Sequence, residues 1–454
     1  MSDTLMISVS GMRGLVGTDL TPELVARHAA ALGAWVRSRG NHRVVLGRDA
    51  RTSGAMFTHA AIAGFQSVGV DVVDVGVAPT PTVQMAVEYH HAGAGLIITA
   101  SHNPIEWNAL KFVGPDGIFL DAESGSAVRA LAEAGPPRAG WDAIGTLSHD
   151  GDAIARHLDA VLALPEIDVA AIRARRFVVA LDCVRGAGAP AMLPLFERLG
   201  VTVHGINLEA DGRFPRAPEP IPENLGELGA LVRQSGASVG MAVDPDVDRL
   251  ALVDETGVPI GEDYTLALAI RAVLGAGKPS GNAPTVVVNL STSLVVEDAA
   301  RDGRARFLRA PVGEANVARM IVDERAVIGG EGNGGVMFPA LHTGRDAPLA
   351  AALILQYLAD NAEPLSRLVA AAPRYVIVKA KGKRGNDLEA QYRGLRAAFP
   401  DAVADDRDGL RLAWEDRWVH VRPSGTEPVV RFIAEARTAA EAEALVARAR
   451  ASGS

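Results

Sequence analysis

Runs of β-branched and aliphatic residues recur along this chain, separated by alanine- and leucine-rich stretches of helical character. The first unit reads as a strand at Arg43-Val44-Val45-Leu46, a helix over residues 55–67 and a second strand from Val70 to Val75. The same alternation returns near residues 177–208 and again near 285–330. Alternating strands and helices predict α/β domains with largely parallel central strands, and three are expected. After Ala371-Ala372-Pro373 the pattern changes to strands, a helix at 388–398, further strands and a closing helix from Ala439, which reads as an α+β unit. The stretch Gly135-Pro136-Pro137-Arg138-Ala139-Gly140 is loop-like and precedes a helix around 153–164. The expected domains are therefore 1–150, 151–256, 257–370 and 371–454. A chain of 454 residues is in any case too long for one core.

Composition adds exclusions. The apolar fraction of 48% and charged fraction of 22% are ordinary for a globular protein. Cys183 is the only cysteine, so no internal disulfide can form, and its apolar surroundings suggest a buried, inert thiol. No apolar stretch has membrane-spanning length and no basic-then-apolar leader opens the chain, so a cytoplasmic protein with no membrane partner is expected. The formal net charge of −9 argues against nucleic acid as a partner. It also means that any anionic ligand must be met by local cations.

Four segments carry chemistry. Thr99-Ala100-Ser101-His102-Asn103-Pro104 follows the apolar run Gly95-Leu96-Ile97-Ile98, and so delivers a hydroxyl with an imidazole beside it to the end of a strand. Asp244-Pro245-Asp246-Val247-Asp248-Arg249 lies between two apolar strands. In an extended chain its aspartates at i, i+2 and i+4 would project together, and three adjacent carboxylates call for a hard cation, Mg²⁺ or Ca²⁺. A calcium-loop reading, with Glu255 at position twelve, fails because Arg249 stands at the sixth position, where that turn requires glycine. Gly329-Gly330-Glu331-Gly332-Asn333-Gly334-Gly335 exposes a carboxylate and an amide on a permissive backbone, a pairing suited to sugar hydroxyls. Arg422-Pro423-Ser424-Gly425-Thr426-Glu427-Pro428, with Arg431 after it, offers a guanidinium, two hydroxyls and a glycine as a phosphate cradle.

Together and in this order, the four segments resemble the α-D-phosphohexomutase family, the phosphoglucomutase, phosphomannomutase and phosphoglucosamine mutase group. Ser10-Gly11-Met12-Arg13-Gly14 and Gly47-Arg48-Asp49-Ala50-Arg51-Thr52-Ser53-Gly54 are similar to two N-terminal loops of that family. The resemblance implies three similar α/β domains with mixed central sheets and a C-terminal α+β domain around a central cleft. It implies a monomer or homodimer acting on a phosphosugar, with Mg²⁺ on Ser101, Asp244, Asp246 and Asp248 and a sugar 1,6-bisphosphate as activator. Ser101 would carry the phosphate, with His102, Lys111, Arg13 and Arg249 as its catalytic neighbours. Lys111 would be the first choice for general acid or base if its pKa falls. Glu331 and Asn333 would bind the sugar, and Arg422, Ser424, Gly425, Thr426 and Arg431 the far phosphate.

This chain also departs from the family. Many members end the sugar loop with histidine where it has Gly335, and several carry histidine where it has Glu314. The loop variants are most similar to a subgroup assigned as phosphoglucosamine mutases. The expected reaction is therefore glucosamine 6-phosphate to glucosamine 1-phosphate, with Glu314 as a ligand for the C2 ammonium. Phosphomannomutase/phosphoglucomutase activity is the alternative. A hydrolase using phosphoserine and a non-catalytic sugar-phosphate binder are more distant ones.

Overall fold

The computed structural model describes residues 5–8, 11–276, 283–383, 387–423 and 429–452. Four sheets lie in sequence order, and the first three repeat one plan. In each, three parallel strands are followed by an antiparallel partner reached through a hairpin. The N-terminal sheet has this unit as Asp71–Val77, Arg43–Arg48, Ala94–Ile98 and Trp107–Val113, extended to seven strands by Gly11–Leu15 and Met6–Ser8 at one edge and Leu147–His149 at the other. The second sheet runs Thr202–Ile206, Val178–Asp182, Val239–Val243, Leu250–Val253. The third runs Arg306–Ala310, Thr285–Asn289, Ile328–Glu331, Gly335–Met337. Ala94–Ile98 and Val239–Val243 are buried at every position, as strands covered on both faces must be.

The repeated plan decides where the chemistry sits. The hairpin loop between the third and fourth strands of each unit is residues 99–106, 244–249 and 332–334, which are the serine, aspartate and sugar-loop motifs. Each begins at the carboxyl end of a parallel strand, the usual location of ligand sites in open α/β sheets.

The C-terminal sheet is antiparallel, ordered Val376–Lys383, Val429–Ala436, Trp418–Pro423, Leu410–Ala413, Val403–Asp405, and is covered by Leu388–Ala398 and Ala439–Ser452. Its hairpin loop 424–428 lies outside the described residues. Glu435 anchors this domain on the third. It accepts from Leu294 N (2.8 Å), Trp418 Nε1 (2.6 Å) and the Ser293 hydroxyl, at the start of the helix Leu294–Asp302.

The second and third domains share one continuous apolar core, reaching from Leu158 to Leu365. The helix Ala347–Asn361 lies within that core, with Leu349 to Leu355 wholly buried, and packs on helices of both domains. Among the described residues no helix is long and apolar enough to cross a membrane.

Candidate active site

Ser101 and Val247 both have positive φ (48° and 62°), a conformation that costs any non-glycine residue and especially a β-branched one. These two turns build the reacting centre. In the serine loop, Ser101 N donates to Thr99 Oγ1 (2.9 Å) and Ser101 Oγ donates to Asp244 Oδ2 (2.9 Å). His102 Nδ1 lies 3.4 Å from the same hydroxyl oxygen. The charge of Arg249, then burial and Arg13, push the His102 imidazole down to about 2, so its ring is neutral.

Arg51 braces the whole loop. Its guanidinium donates to the carbonyls of Ser101 (2.6 Å), Asn103 (2.7 Å), Pro104 (2.7 Å) and Trp107 (2.9 Å) and pairs with Asp49 (3.0 Å), both side chains being fully buried.

The aspartate loop does not converge by strand alternation. Residues 244–249 form a turn, closed by Val247 N to Asp244 O (3.1 Å), with Asp248 N and Arg249 N donating to Asp244 Oδ1 (3.2 Å each). One oxygen from each of Asp244, Asp246 and Asp248 falls within 4.8 Å of the others, and all three residues are wholly buried. Asp246 Oδ2 is paired with Lys111 Nζ (2.6 Å) and Thr80 Oγ1 (2.9 Å), and Asp248 Oδ2 with Arg345 Nη2 (2.5 Å). Asp246 Oδ1 and Asp248 Oδ1 have no hydrogen-bond partner. Two orphaned, buried, hard oxygens beside a third carboxylate fit a divalent cation with oxygen preference.

Burial and the charges of Asp248 and Asp246 push the Asp244 carboxyl up. Burial also opposes ionisation of Asp246, but Lys111 outweighs it and holds that carboxyl down. We expect one Mn²⁺ site by electron paramagnetic resonance titration, at least about tenfold weaker in Asp248→Asn. Unchanged affinity would remove the aspartates from cation binding.

Lys111 is held by Asp246 and Asp248 (2.6 and 3.7 Å). Burial alone would lower its pKa, but Asp246, Asp248 and Glu314 outweigh it and the net shift is upward. In this state Lys111 is a charge donor and an acid, not the base that a lowered pKa would have made it. Arg13 reaches Asn103 Oδ1 (2.6 Å), and Arg249 approaches Glu219 (3.6 Å) and Asp248 (3.7 Å).

In the sugar loop, Glu331 Oε1 accepts from Asn289 Nδ2 (2.9 Å) and Gly313 N (3.2 Å), and its Oε2 from Arg345 Nη1 (2.9 Å). Burial disfavours its charge, yet Arg345 and Asn289 keep the carboxyl below its usual range. Asn333 lies beside it and receives Gly335 N (3.2 Å). Glu314 does not stand free for a ligand. It accepts from Arg345 Nε (3.0 Å) and Arg345 N (3.3 Å).

The cleft has two lobes. One of about 550 Å³ is lined by Arg13, Ser101, Lys111, Arg249, Glu314 and Arg345. The other, of about 510 Å³, holds Asn333, Lys379, Lys381, Arg422 and Arg431. His102 and Val312 line both. Arg422 and Arg431 face each other across neighbouring strands, and Arg422 pairs with Asp408 (3.0 Å). Ser424, Gly425 and Thr426 lie outside the described residues. The negative chain thus concentrates cations in its cleft, as an anionic ligand requires.

Sequence reasoning did not single out Arg51, Thr80, Arg345, Lys379 and Lys381. The only local signal was the lysine alternation at 379 and 381, which places both on one face of the strand Val376–Lys383.

A second buried cluster, His157, His342 and Asp346, has ligand spacing for a metal but bonds as a proton network. Gly344 N donates to His342 Nδ1 (3.0 Å), so Nε2 carries the proton and gives it to Asp346 Oδ2 (2.9 Å), which His157 Nε2 also reaches (2.7 Å).

Comparison with known proteins agrees with this geometry. Four family profiles match in order: "Phosphoglucomutase/phosphomannomutase, alpha/beta/alpha domain I" over residues 5–138, domain II over 155–257, domain III over 261–375, and the C-terminal domain over 375–452. A "Phosphoglucomutase/phosphomannomutase" of Thermococcus kodakarensis is 38% identical over 94% of each chain. A "Probable phosphoglucosamine mutase" of Methanopyrus kandleri is 36% identical over 96% of this chain and 95% of its own. The crystal structure of a phosphoglucomutase/phosphomannomutase family protein from Burkholderia thailandensis superimposes with a TM-score of 0.87 at 26% identity, covering 100% of this chain and 97% of that one. The chain belongs to the α-D-phosphohexomutase family, a family of isomerases.

Proposed function

We propose that this protein is a phosphosugar mutase that moves a phosphoryl group between two hydroxyls of a hexose through a phosphorylated Ser101. The observation that carries the reading is Ser101 Oγ at 2.9 Å from Asp244 Oδ2, at the mouth of a three-aspartate group with two orphaned oxygens. A binder or a purely structural loop has no need of that arrangement.

Asp244, Asp246 and Asp248 would hold Mg²⁺ together with the Ser101 phosphate, and when bound the ion supplies charge neutralisation at the transferring phosphoryl group. The rest falls to the chain's own residues. A sugar hydroxyl oxygen bonds to phosphorus as the Ser101 Oγ–phosphorus bond breaks, leaving a sugar bisphosphate. The proton lost by the sugar hydroxyl is balanced by the one regained at Ser101 Oγ, where Asp244 accepts it in a hydrogen bond. Lys111 and Arg249 lie where negative charge accumulates. The bisphosphate turns round and its other phosphoryl group returns to Ser101. Glu331 and Asn333 would grip ring hydroxyls in both orientations, and Arg422 and Arg431, with Ser424, Gly425 and Thr426, would hold the far phosphate. A sugar 1,6-bisphosphate would prime an unphosphorylated enzyme. The division at residues 150, 256 and 370 is supported by the four sheets, each formed within one of those spans.

Glucosamine phosphate as substrate is supported by relatives of 33–36% identity called probable phosphoglucosamine mutases. Two observations favour glucose or mannose phosphate instead: the 38% identical relative bears the other name, and Glu314 is already bonded to Arg345. The test is an assay with Mg²⁺ and a hexose 1,6-bisphosphate on glucosamine 1-phosphate, glucose 1-phosphate and mannose 1-phosphate. Conversion to a 6-phosphate without free phosphate is expected, and the preferred sugar decides between the two. Release of inorganic phosphate would make the protein a hydrolase, and no turnover would make it a binder.

A further inference from the structure

Arg345 touches three loops at once, each through a different nitrogen. Its Nη2 donates to Asp248 Oδ2 (2.5 Å), its Nη1 to Glu331 Oε2 (2.9 Å) and its Nε to Glu314 Oε2 (3.0 Å). Asp248 belongs to the hairpin of the second domain, Glu331 to that of the third, and Glu314 opens the helix Glu314–Asp323. We propose that Arg345 is a positioning residue that couples the cation loop to the sugar loop, orienting Glu331 for the sugar while limiting the negative charge at Asp248. The proposal rests on the phosphosugar mutase reading and deepens it.

Arg345 is not a mobile surface arginine. Its backbone N–H is fixed on Glu314 (3.3 Å), and the next residue, Asp346, caps the helix Ala347–Asn361 through Leu349 N (2.9 Å). Asp346 also takes the protons of His157 and His342, and His157 is held in turn by Thr82 (2.8 Å) of the helix Thr80–Tyr89. The base of Arg345 is thereby tied to the first, second and third domains. Its shaft fills the space over the end of the sugar loop: a Cβ on Gly335 would lie 2.3 Å from Arg345 Cδ. Gly335 is small because Arg345 is there.

The bonding leaves each site atom one direction. With Asp248 Oδ2 taken by Arg345, only Oδ1 remains for a cation, and with Glu331 Oε2 taken, the rotation of that carboxylate is set. A planar fork can do both at once, whereas an ammonium is a point charge that cannot span them.

Charge and geometry can therefore be separated. In the full-length protein, Arg345→Met should bind Mn²⁺ on the order of tenfold tighter, because a positive charge beside Asp248 is gone. Its KM for the hexose 1-phosphate that the wild type converts should rise by about tenfold or more, because Glu331 loses its orientation. Arg345→Lys should return Mn²⁺ affinity towards wild type while KM stays high. That opposite movement is something a merely structural role would not produce. Loss of both affinities in Arg345→Met, recovery of both in Arg345→Lys, or no change in either would overturn the proposal. Should Arg345→Met not fold, Arg345→Lys decides alone, since wild-type Mn²⁺ affinity with raised KM supports coupling and any other pair opposes it. If the wild type converts no hexose phosphate, the mutase reading fails, and the Mn²⁺ titrations still judge the contact with Asp248.

Discussion

Ser101→Ala is expected to lower mutase turnover by about 10⁴-fold or more on every hexose phosphate, the scale seen when a covalent nucleophile is removed. The fold should survive. Alanine enters a left-handed position that serine already occupies at φ 48°, and its backbone N–H keeps Thr99 as acceptor. Only one side-chain hydrogen bond is lost, from Ser101 Oγ to Asp244. The melting temperature should stay close to wild type, and Mn²⁺ should still bind, because the three aspartates remain. Incubation with a labelled hexose 1,6-bisphosphate should label the wild type and leave the variant unlabelled. A variant retaining more than about a hundredth of wild-type turnover would show that the phosphoryl group does not pass through Ser101.

The chain announces its site where the chemistry is local and hides it where the chemistry is distant. Ser101, the three aspartates, Glu331 and Asn333 stand in short polar loops after apolar strands, so strand ends and ligand groups are legible together. The equivalence of those loops is not. Residues 99–106, 244–249 and 332–334 share a place in the sheet plan but no sequence, because a hairpin after a parallel strand constrains the backbone and leaves the side chains free.

The aspartates illustrate a sound conclusion reached by the wrong route. Alternation in an extended chain would bring them together, yet the actual turn depends on Val247 at φ 62°, a conformation that no local preference of valine suggests. Lys111 and Glu314 mislead for a related reason. Their partners, Asp246 and Arg345, lie 135 and 31 residues away, and those partners decide that the amine is charged and the carboxylate engaged. Arg345 and Arg51 show the same limit, since their importance lies in what they hold.

Arg51→Met is expected to be the most destabilising single change near the site. Arg51 donates to four carbonyls of the serine loop and to Asp49, with no exposed side-chain surface on either partner of the ion pair. Methionine fills part of the volume but satisfies none of those acceptors, and it leaves Asp49 buried with Thr99 and the Arg51 backbone N–H as its hydrogen-bond donors. Breaking a buried pair from one side costs about 3–5 kcal/mol.

The loss should depend on pH. Burial already raises the Asp49 carboxyl, against the opposing pull of Arg51. Without Arg51 the folded-state pKa rises further above its unfolded value, so the protonated carboxyl is the form that the variant's fold tolerates. Such a group contributes its stability at low pH and loses it as pH rises through the folded pKa. The gap between wild type and Arg51→Met, measured by urea unfolding, should therefore narrow as pH falls from 7 towards 5. Arg51→Met combined with Asp49→Asn, which removes the stranded charge, should recover part of the gap at pH 7 and lose the pH dependence. A gap that widens on acidification would mean that Asp49 is not the group left unpaired. In either variant the serine loop lacks its four donors, so turnover should remain low even where the fold is restored, separating the support of the loop from the stability of the domain.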